Sequence, residues 1–305
     1  MRVLVTGGAG YIGKILLEKM KRFNYDLFSI DYKKCDDFQC ESFNVDLLDF
    51  KMLRSAISAI KPNYVIHMAG VKDRKNDYNT FKKAININLI GSLNLMQVLQ
   101  EVKTVKKIIV IGTAEEYGRS EELIEEEHKL NPINAYSFSK QCLFNLCDYY
   151  IREENLPIFY LRPSLIYGPN QDLAMFLPSL IDTLRSDHEY KMTRGEQKRD
   201  FLHVDDLLDL IVTLINTKQQ SNHGVYNVCS GERVRIVDIA RYVGEKMEKL
   251  KFIKIGALPY RPGEIMEYRI SNRKLMETFD WKPKVRLFEG IDQILSSELK
   301  VSENE

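Results

Sequence analysis

Val3-Leu4-Val5-Thr6-Gly7-Gly8-Ala9-Gly10-Tyr11-Ile12-Gly13 lies at the start of the chain, and its apolar, β-branched opening predicts a strand. The run breaks into glycines spaced Gly-x-x-Gly-x-x-Gly, and an apolar repeat at Ile12, Ile15, Leu16, Met20 and Phe23 follows with helical spacing. That pattern is strand, tight turn, helix. Glycine serves where the backbone takes positive φ or lets a ligand come close, and a helix N-terminus beyond it offers free N–H groups to an anion. A pyrophosphate fits such a turn. Asp31, eighteen residues after Gly13, closes a second apolar run, Leu27-Phe28-Ser29-Ile30. An ordinary βα turn shares the glycines. The strand before them, the helix after them and the later acid together predict a dinucleotide site using Gly7, Gly10, Tyr11, Ile12, Gly13 and Asp31.

With 305 residues, 44% hydrophobic and 29% charged, the chain can bury a full core in one large or two modest domains. Basic and acidic residues number 44 and 43, a formal charge of +1, so no global field recruits nucleic acid or an anionic membrane. No apolar run approaches the roughly 20 residues of a membrane helix. The opening Met-Arg-Val-Leu enters a strand without a signal-peptide layout, so a cytoplasmic protein is expected. None of Cys35, Cys40, Cys142, Cys147 and Cys229 stand in a Cys-x-x-Cys arrangement, so they read as thiols and no metal site is expected.

An acid at the end of the second strand can accept both ribose hydroxyls of an adenosine and repels a 2′-phosphate, which favours NAD over NADP. Lys33 and Lys34 could hold that phosphate, so NADP is the lesser alternative. Asp49 to Ile60 has helical spacing, and Tyr64-Val65-Ile66-His67-Met68-Ala69-Gly70 is a strand running into a small-residue turn. His67 reads as a satisfied core or strand-end histidine. Lys72 follows the carboxyl end of that strand, where open α/β sheets place ligands, although a solvated lysine fits equally.

From Tyr78 to Val102 a long helix is apolar on more than one face, which predicts burial against its own sheet and against something else. The strand Lys107 to Ile111 ends in Gly112-Thr113-Ala114-Glu115-Glu116-Tyr117-Gly118, and the acidic stretch Glu121 to Glu127 reads as a solvated loop. A second long helix begins near Asn134 and sets Tyr136 and Lys140 four residues apart on one face. Thr113, at the end of the preceding strand, can reach the same cleft. Two such helices, about 78–102 and 134–154, suggest a homodimer with four helices at its centre, with burial inside one subunit as the alternative.

Strands and helices alternate as far as Pro157 to Arg162, which argues for a doubly wound parallel, Rossmann sheet in an α/β protein. Beyond Pro163 the pattern loosens, with helices expected over Asp172–Leu184, Asp205–Asn216, Ile236–Leu250, Arg273–Phe279 and Leu287–Leu299, a strand near Val225, and a turn at Arg261-Pro262-Gly263. The division expected is a dinucleotide domain at 1–165 plus a returning segment at about 200–230. A smaller mixed α/β substrate lobe takes 166–199 and 231–305 and covers the sheet's carboxyl edge.

A tyrosine near its usual pKa of about 10 is a poor base, but an adjacent lysine cation and an oxidised nicotinamide stabilise its phenolate. It could then take a proton from an alcohol while hydride leaves the same carbon for the cofactor. Thr113 would orient the alcohol or ketone oxygen, and Lys140 would also hold the cofactor ribose.

On these residues the chain resembles the extended short-chain dehydrogenase/reductase family, which acts on nucleotide-activated sugars. The resemblance runs from residue 1 to about 290 and is carried by Thr6 to Gly13, Asp31, Asp46-Leu47, His67 to Gly70, Asn88 with Gly91, Thr113 with Tyr117-Gly118, Tyr136 with Lys140, Arg162-Pro163, Tyr167-Gly168-Pro169, Arg199-Asp200-Phe201 and Tyr226-Asn227-Val228. It implies NAD as cofactor, with Ala69, Gly70, Asn88 and Pro163 also in its site, Asp46 and Leu47 at the adenine and Lys72 at the nicotinamide ribose. It implies a nucleotide-diphosphate sugar as partner, with Thr113, Glu115, Arg199 and Arg261 on the substrate and the two arginines on its diphosphate.

The particular reaction stays open. Ala69-Gly70-Val71-Lys72 is similar to hexose 4-epimerases, whereas Glu115 matches the acid/base glutamate of 4,6-dehydratases and sugar-acid decarboxylases, and Glu-Glu-Tyr-Gly resembles deoxyhexose 4-ketoreductases. Ala114 stands where glucose-type dehydratases keep Asp or Ser and cannot transfer a proton. Leu165 replaces a usual asparagine and His203 a common tyrosine. The reading is an NAD-dependent enzyme working at C4 of a nucleotide sugar, as epimerase or ketoreductase. A dehydratase or decarboxylase using Glu115 and a non-catalytic dinucleotide sensor are the alternatives.

Overall fold

The computed structural model describes residues 1–33, 40–217, 222–261 and 263–302, the last six of these by backbone only. Lys34, Cys35 and Pro262, named above, lie outside the described residues. The strands in chain order are β1 (Arg2–Thr6), β2 (Asp26–Asp31), β3 (Glu41–Asn44), β4 (Tyr64–His67), β5 (Lys107–Ile111), β6 (Ile158–Pro163), β7 (Leu165–Tyr167), β8 (Tyr190–Met192), β9 (Lys198–His203), β10 (Gly224–Val228), β11 (Arg233–Arg235) and β12 (Ile253–Ile255). The main sheet is ordered β10-β6-β5-β4-β1-β2-β3. All of its pairings are parallel, so the doubly wound reading holds.

Helices α1 (Tyr11–Met20), α2 (Phe50–Ile60), α3 (Tyr78–Ala84), α4 (Gly91–Gln100) and α5 (Ala135–Arg152) connect its strands. Side chains alternate across each strand, and both faces are covered. Val3 and Val5 join Leu16, Leu17 and Met20 in one core, while Leu4 between them joins Leu53, Ile57, Leu95 and Leu143 in the other. That is why the strands read as unbroken apolar runs rather than alternating ones. Each such side chain contributes about 1.5–3 kcal/mol when fully buried.

The remaining helices are α6 (Phe176–Arg185), α7 (Val204–Asn216), α8 (Ile236–Lys246), α9 (Arg273–Phe279) and α10 (Leu287–Ser302). Leu207, Leu210 and Leu214 of α7 share the core of Leu16 and Leu17, and β10 pairs with β6, so both lie with the main sheet. In contrast, β9 joins β7 and β11 in a three-stranded sheet, and β8 pairs with β12. Around these a third core gathers Tyr167, Leu180, Leu184, Val237, Val243 and Ile291. Among the described residues no helix is long and apolar enough to cross a membrane.

Three sequence expectations are corrected. The helix expected over 78–102 is not uniform, because Ile85–Ile90 winds as a π-helix between α3 and α4. The helix expected from Asp172 begins at Phe176 instead, with Asp172 accepting the Ala174 N–H at 2.8 Å in the turn before it. The acidic stretch is not wholly solvated either: Glu126 is buried and accepts the Asn227 N–H at 2.8 Å, because β10 is the edge strand and that amide has no strand on its outer side.

Candidate active site

Strand order reverses between β1 and β4, and an open α/β sheet has its crevice at such a point. Gly7, just after β1, has φ +78°, and a Cβ there would lie 2.6 Å from the Ala69 nitrogen just after β4. A Cβ on Gly13 would lie 2.3 Å from the Gly7 carbonyl oxygen, so the helix can start this close to the strand only without side chains. Among the described residues no side chain caps α1 and no acid sits in its first turn. Asp31 stands at the edge of the turn, accepting the Ala9 and Lys33 N–H groups at 3.1 and 3.0 Å. Asp46 accepts the Leu48 N–H at 2.9 Å, and Leu47 is buried against Gly91. A bare helix N-terminus for a pyrophosphate and a fixed carboxylate for a ribose are what a dinucleotide needs, so the residues present fit one.

The floor of the crevice is tied together through Asn88, which the π-helix turns inward. Its Oδ1 accepts the Val71 N–H at 2.8 Å, and its amide donates to the Val71 carbonyl at 3.0 Å and to Ser139 Oγ at 2.8 Å. π-turns inside α-helices gather at functional sites, and this one links β4's exit to the helix bearing Tyr136. A Cβ on Gly70 would lie 2.8 Å from Asn88 Oδ1 and 3.7 Å from Lys140 Nζ, so Gly70, Asn88 and Lys140 meet. Lys140 Nζ donates to the Ile111 carbonyl at 2.7 Å. Burial pushes its pKa down to about 8, with the Glu116 carboxylate pulling the other way. His67 sits beneath, its Nδ1 2.7 Å from Thr6 Oγ1 and its Nε2 2.8 Å from Ser92 Oγ. Burial first and the Lys140 cation second lower its pKa to about 3, so the imidazole is neutral.

Thr113 and Tyr136 meet over this floor. Thr113 caps a short 3-10 turn, Ala114–Tyr117, and its hydroxyl faces the Tyr136 phenol. Burial raises the phenol, the Glu115 carboxylate raises it further, and the Thr113 hydroxyl and the nearby Arg74 cation act against them. Glu115 is gripped by Arg74, whose Nε lies 3.1 and 2.9 Å from its two oxygens and whose Nη2 also donates. The guanidinium carbon lies 5.8 Å from the Tyr136 ring centroid. Arg74 is missing from the sequence reading, and its one legible signal is its place two residues beyond Lys72.

The other predicted residues lie around this centre. Lys72 Nζ points at Met175 Sδ, 3.1 Å away. Arg199 donates to Glu264 at 2.5 Å and to the Ile265 carbonyl at 2.6 Å, so its fork is engaged by the chain itself. Arg261 is exposed, with its carbonyl accepting the Glu264 N–H at 3.0 Å in the turn that carries the partner of Arg199. Pro163 ends β6 opposite Val228. The Tyr11 hydroxyl is buried with no hydrogen-bond partner among the described residues, and a Cβ on Gly168 would lie 2.7 Å from it.

A second charged pair escapes the sequence reading altogether. Arg162 Nε donates to Glu116 Oε2 at 2.8 Å, and both side chains are 0% exposed. The other Glu116 oxygen accepts the Thr113 N–H at 2.9 Å and the Tyr160 hydroxyl at 2.8 Å. The Arg162 guanidinium also faces the Phe144 ring at 4.1 Å. A lone arginine within the apolar run Ile158-Phe159-Tyr160-Leu161 is the signal that a buried acid must exist.

A doubly wound sheet with a bare glycine turn at its switch point and a Thr-Tyr-Lys group at its carboxyl edge defines a dinucleotide-dependent enzyme class. The chain belongs to the NAD dependent epimerase/dehydratase family, whose family model matches residues 3–229. It is thus an NAD-dependent enzyme of the extended short-chain dehydrogenase/reductase group. It is similar to a putative UDP-glucose 4-epimerase of Methanocaldococcus jannaschii, 26% identical over 96% of this chain and 97% of that protein. A CDP-abequose synthase of Salmonella typhimurium is 26% identical over 96% and 97% of the two chains. The structure of a UDP-glucose 4-epimerase from Thermus thermophilus in complex with NAD superposes with TM-score 0.83 at 26% identity, covering 95% of this chain and 96% of that one.

Proposed function

We propose that the protein interconverts a hydroxyl and a ketone at C4 of a nucleotide-diphosphate sugar, as a 4-epimerase or a 4-ketoreductase. The observation that carries this reading is the Tyr136 phenol, facing the Thr113 hydroxyl and set on the same edge of the sheet as Lys140 and the Gly7 turn. When bound, NAD supplies the hydride acceptor and donor. Gly7, Gly10, Tyr11, Ile12 and Gly13 would receive its pyrophosphate, with Asp31 on the adenosine ribose and Asp46, Leu47, Ala69, Gly70, Lys72, Asn88 and Pro163 around it. Tyr136 takes the proton of the sugar alcohol and returns it to the ketone oxygen, Thr113 holds that oxygen in line, and the Lys140 cation favours the phenolate. Arg199 and Arg261 would turn to the substrate's diphosphate, Arg199 exchanging Glu264 for it.

The second reading, a 4,6-dehydratase, is favoured by Glu115, whose carboxylate is close enough to act on the phenol electrostatically. We also read the chain as a homodimer packed through its long helices. Ile90, Leu93, Phe138 and Tyr149 are exposed by 37–49% on those helices, and an apolar set of that kind is what a four-helix contact covers.

The test is to incubate the purified protein with UDP-, dTDP-, GDP- and CDP-hexoses and their 4-keto-6-deoxy forms, with NAD(H) or NADP(H), and to identify products by mass and NMR. Unchanged mass with inverted C4, or a gain of two hydrogens, is expected, and Tyr136→Phe loses about 10²–10⁴-fold in kcat. Loss of water, or full turnover by Tyr136→Phe, overturns the reading.

A further inference from the structure

Glu115 and Arg74 are placed on the tyrosine from opposite directions. Arg74 comes from the loop after β4 and Glu115 from the turn after β5. Their side chains are 37% and 24% exposed, so the pair looks into the crevice rather than the core. Three donor contacts from one guanidinium occupy both carboxylate oxygens. A carboxylate committed in this way has to break a charge-assisted fork before it can take or give a proton. Standing free beside the phenol, it would instead oppose the phenolate by like charge.

We propose that Arg74 is a positioning residue for Tyr136, lying against its ring and neutralising Glu115, and that Glu115 is the counter-ion of Arg74 rather than a proton carrier. The proposal rests on the C4 reading above and sharpens it, since a glutamate withheld from proton transfer leaves epimerase and ketoreductase chemistry and removes dehydration. The charged and titratable groups facing the phenol are Arg74 from the loop after β4 and Glu115 and Glu116 from the 3-10 turn, while Lys140, one turn on in its own helix, is engaged by the Ile111 carbonyl. Lys72 flanks the pair from outside with Asp172 beside it, and Arg199 and Tyr268 adjoin Glu115. Of these, Arg74 is the cation set against the ring face, the arrangement in which a guanidinium and an aromatic ring attract.

The experiment titrates the NAD-loaded protein carrying 13Cζ-tyrosine. Of 16 tyrosines, Tyr136 is identified by the resonance missing in Tyr136→Phe. Arg74→Met moves its midpoint up by about one pH unit, Glu115→Gln moves it down, and the double variant returns close to the parent. Where the parent turns over a sugar, the ascending limb of kcat against pH follows the same three shifts, and product formed in D2O carries no deuterium at C5. Shifts of one sign in all variants, or no shift in either single variant, overturn the proposal. So does C5 deuteration in the parent that Glu115→Gln abolishes. The NMR titration stands without turnover, so its failure is distinct from failure of the C4 reading.

Discussion

Glu115 and Glu116 are neighbours in the chain, and each is paired with an arginine, yet they live in different media. Glu115 and Arg74 are partly open to the crevice, whereas Glu116 and Arg162 are sealed in the core, with the second Glu116 oxygen accepting from the Thr113 N–H and the Tyr160 hydroxyl. The same pair of functional groups therefore does two jobs. In the crevice, water screens the pair, so it adds little to stability and can modulate a neighbouring phenol. In the core, the pair is held by hydrogen bonds that cannot be replaced by water, so it anchors the turn carrying Thr113. The difference teaches that solvent access, not the identity of the partners, separates a charge that tunes chemistry from one that holds a scaffold.

The comparison breaks first at its buried member. Glu116→Ala or Arg162→Met alone is expected to cost about 3–5 kcal/mol, because each leaves an uncompensated buried charge. Replacing both by apolar residues, as in Glu116→Leu with Arg162→Met, recovers much of that loss. Urea unfolding of the three variants checks it, and single variants as stable as the parent would show that the core pair is no anchor.

A smaller effect comes from His67, the neutral imidazole under the floor. Its folded pKa of about 3 lies below the ordinary value of 6.5, so between those values the unfolded chain binds more protons. Its contribution is complete above about pH 6.5 and is lost as pH falls toward 3, at up to about 1.4 kcal/mol per pH unit. Tm measured against pH should therefore fall more steeply on the acid side for the parent than for His67→Gln. The two curves should run parallel above pH 7.

The smallest effect belongs to the crevice pair. Arg74→Met or Glu115→Gln is expected to change unfolding free energy by less than about 1 kcal/mol, since the pair is partly exposed. Differential scanning calorimetry would register a Tm within a few degrees of the parent. A loss as large as that for Glu116 would place the crevice pair with the scaffold.

Much of the fold was legible because its signals are local. A strand, a glycine turn and a helix follow from neighbouring residues, and repeating that unit leaves a parallel sheet as the economical arrangement. The Tyr136 and Lys140 spacing is legible for the same reason, since helix geometry alone sets them on one face. The π-helix at Ile85–Ile90 was not legible, because nothing in its apolar spacing distinguishes it. It is specified by what Asn88 reaches, the Val71 backbone and Ser139, 17 and 51 residues away.

By itself, then, the amino-acid sequence determined the doubly wound architecture, the glycine turn after the first strand and the placing of Tyr136 and Lys140 on one helix face, all of which arise from periodicity and backbone chemistry over short stretches. Only the tertiary structure decided which arginine each glutamate meets. Arg74 lies 41 residues from Glu115 and Arg162 46 residues from Glu116. Charges attract without regard to chain order, so such pairings are settled by where the folded sheet delivers its loops and by how much water remains between them.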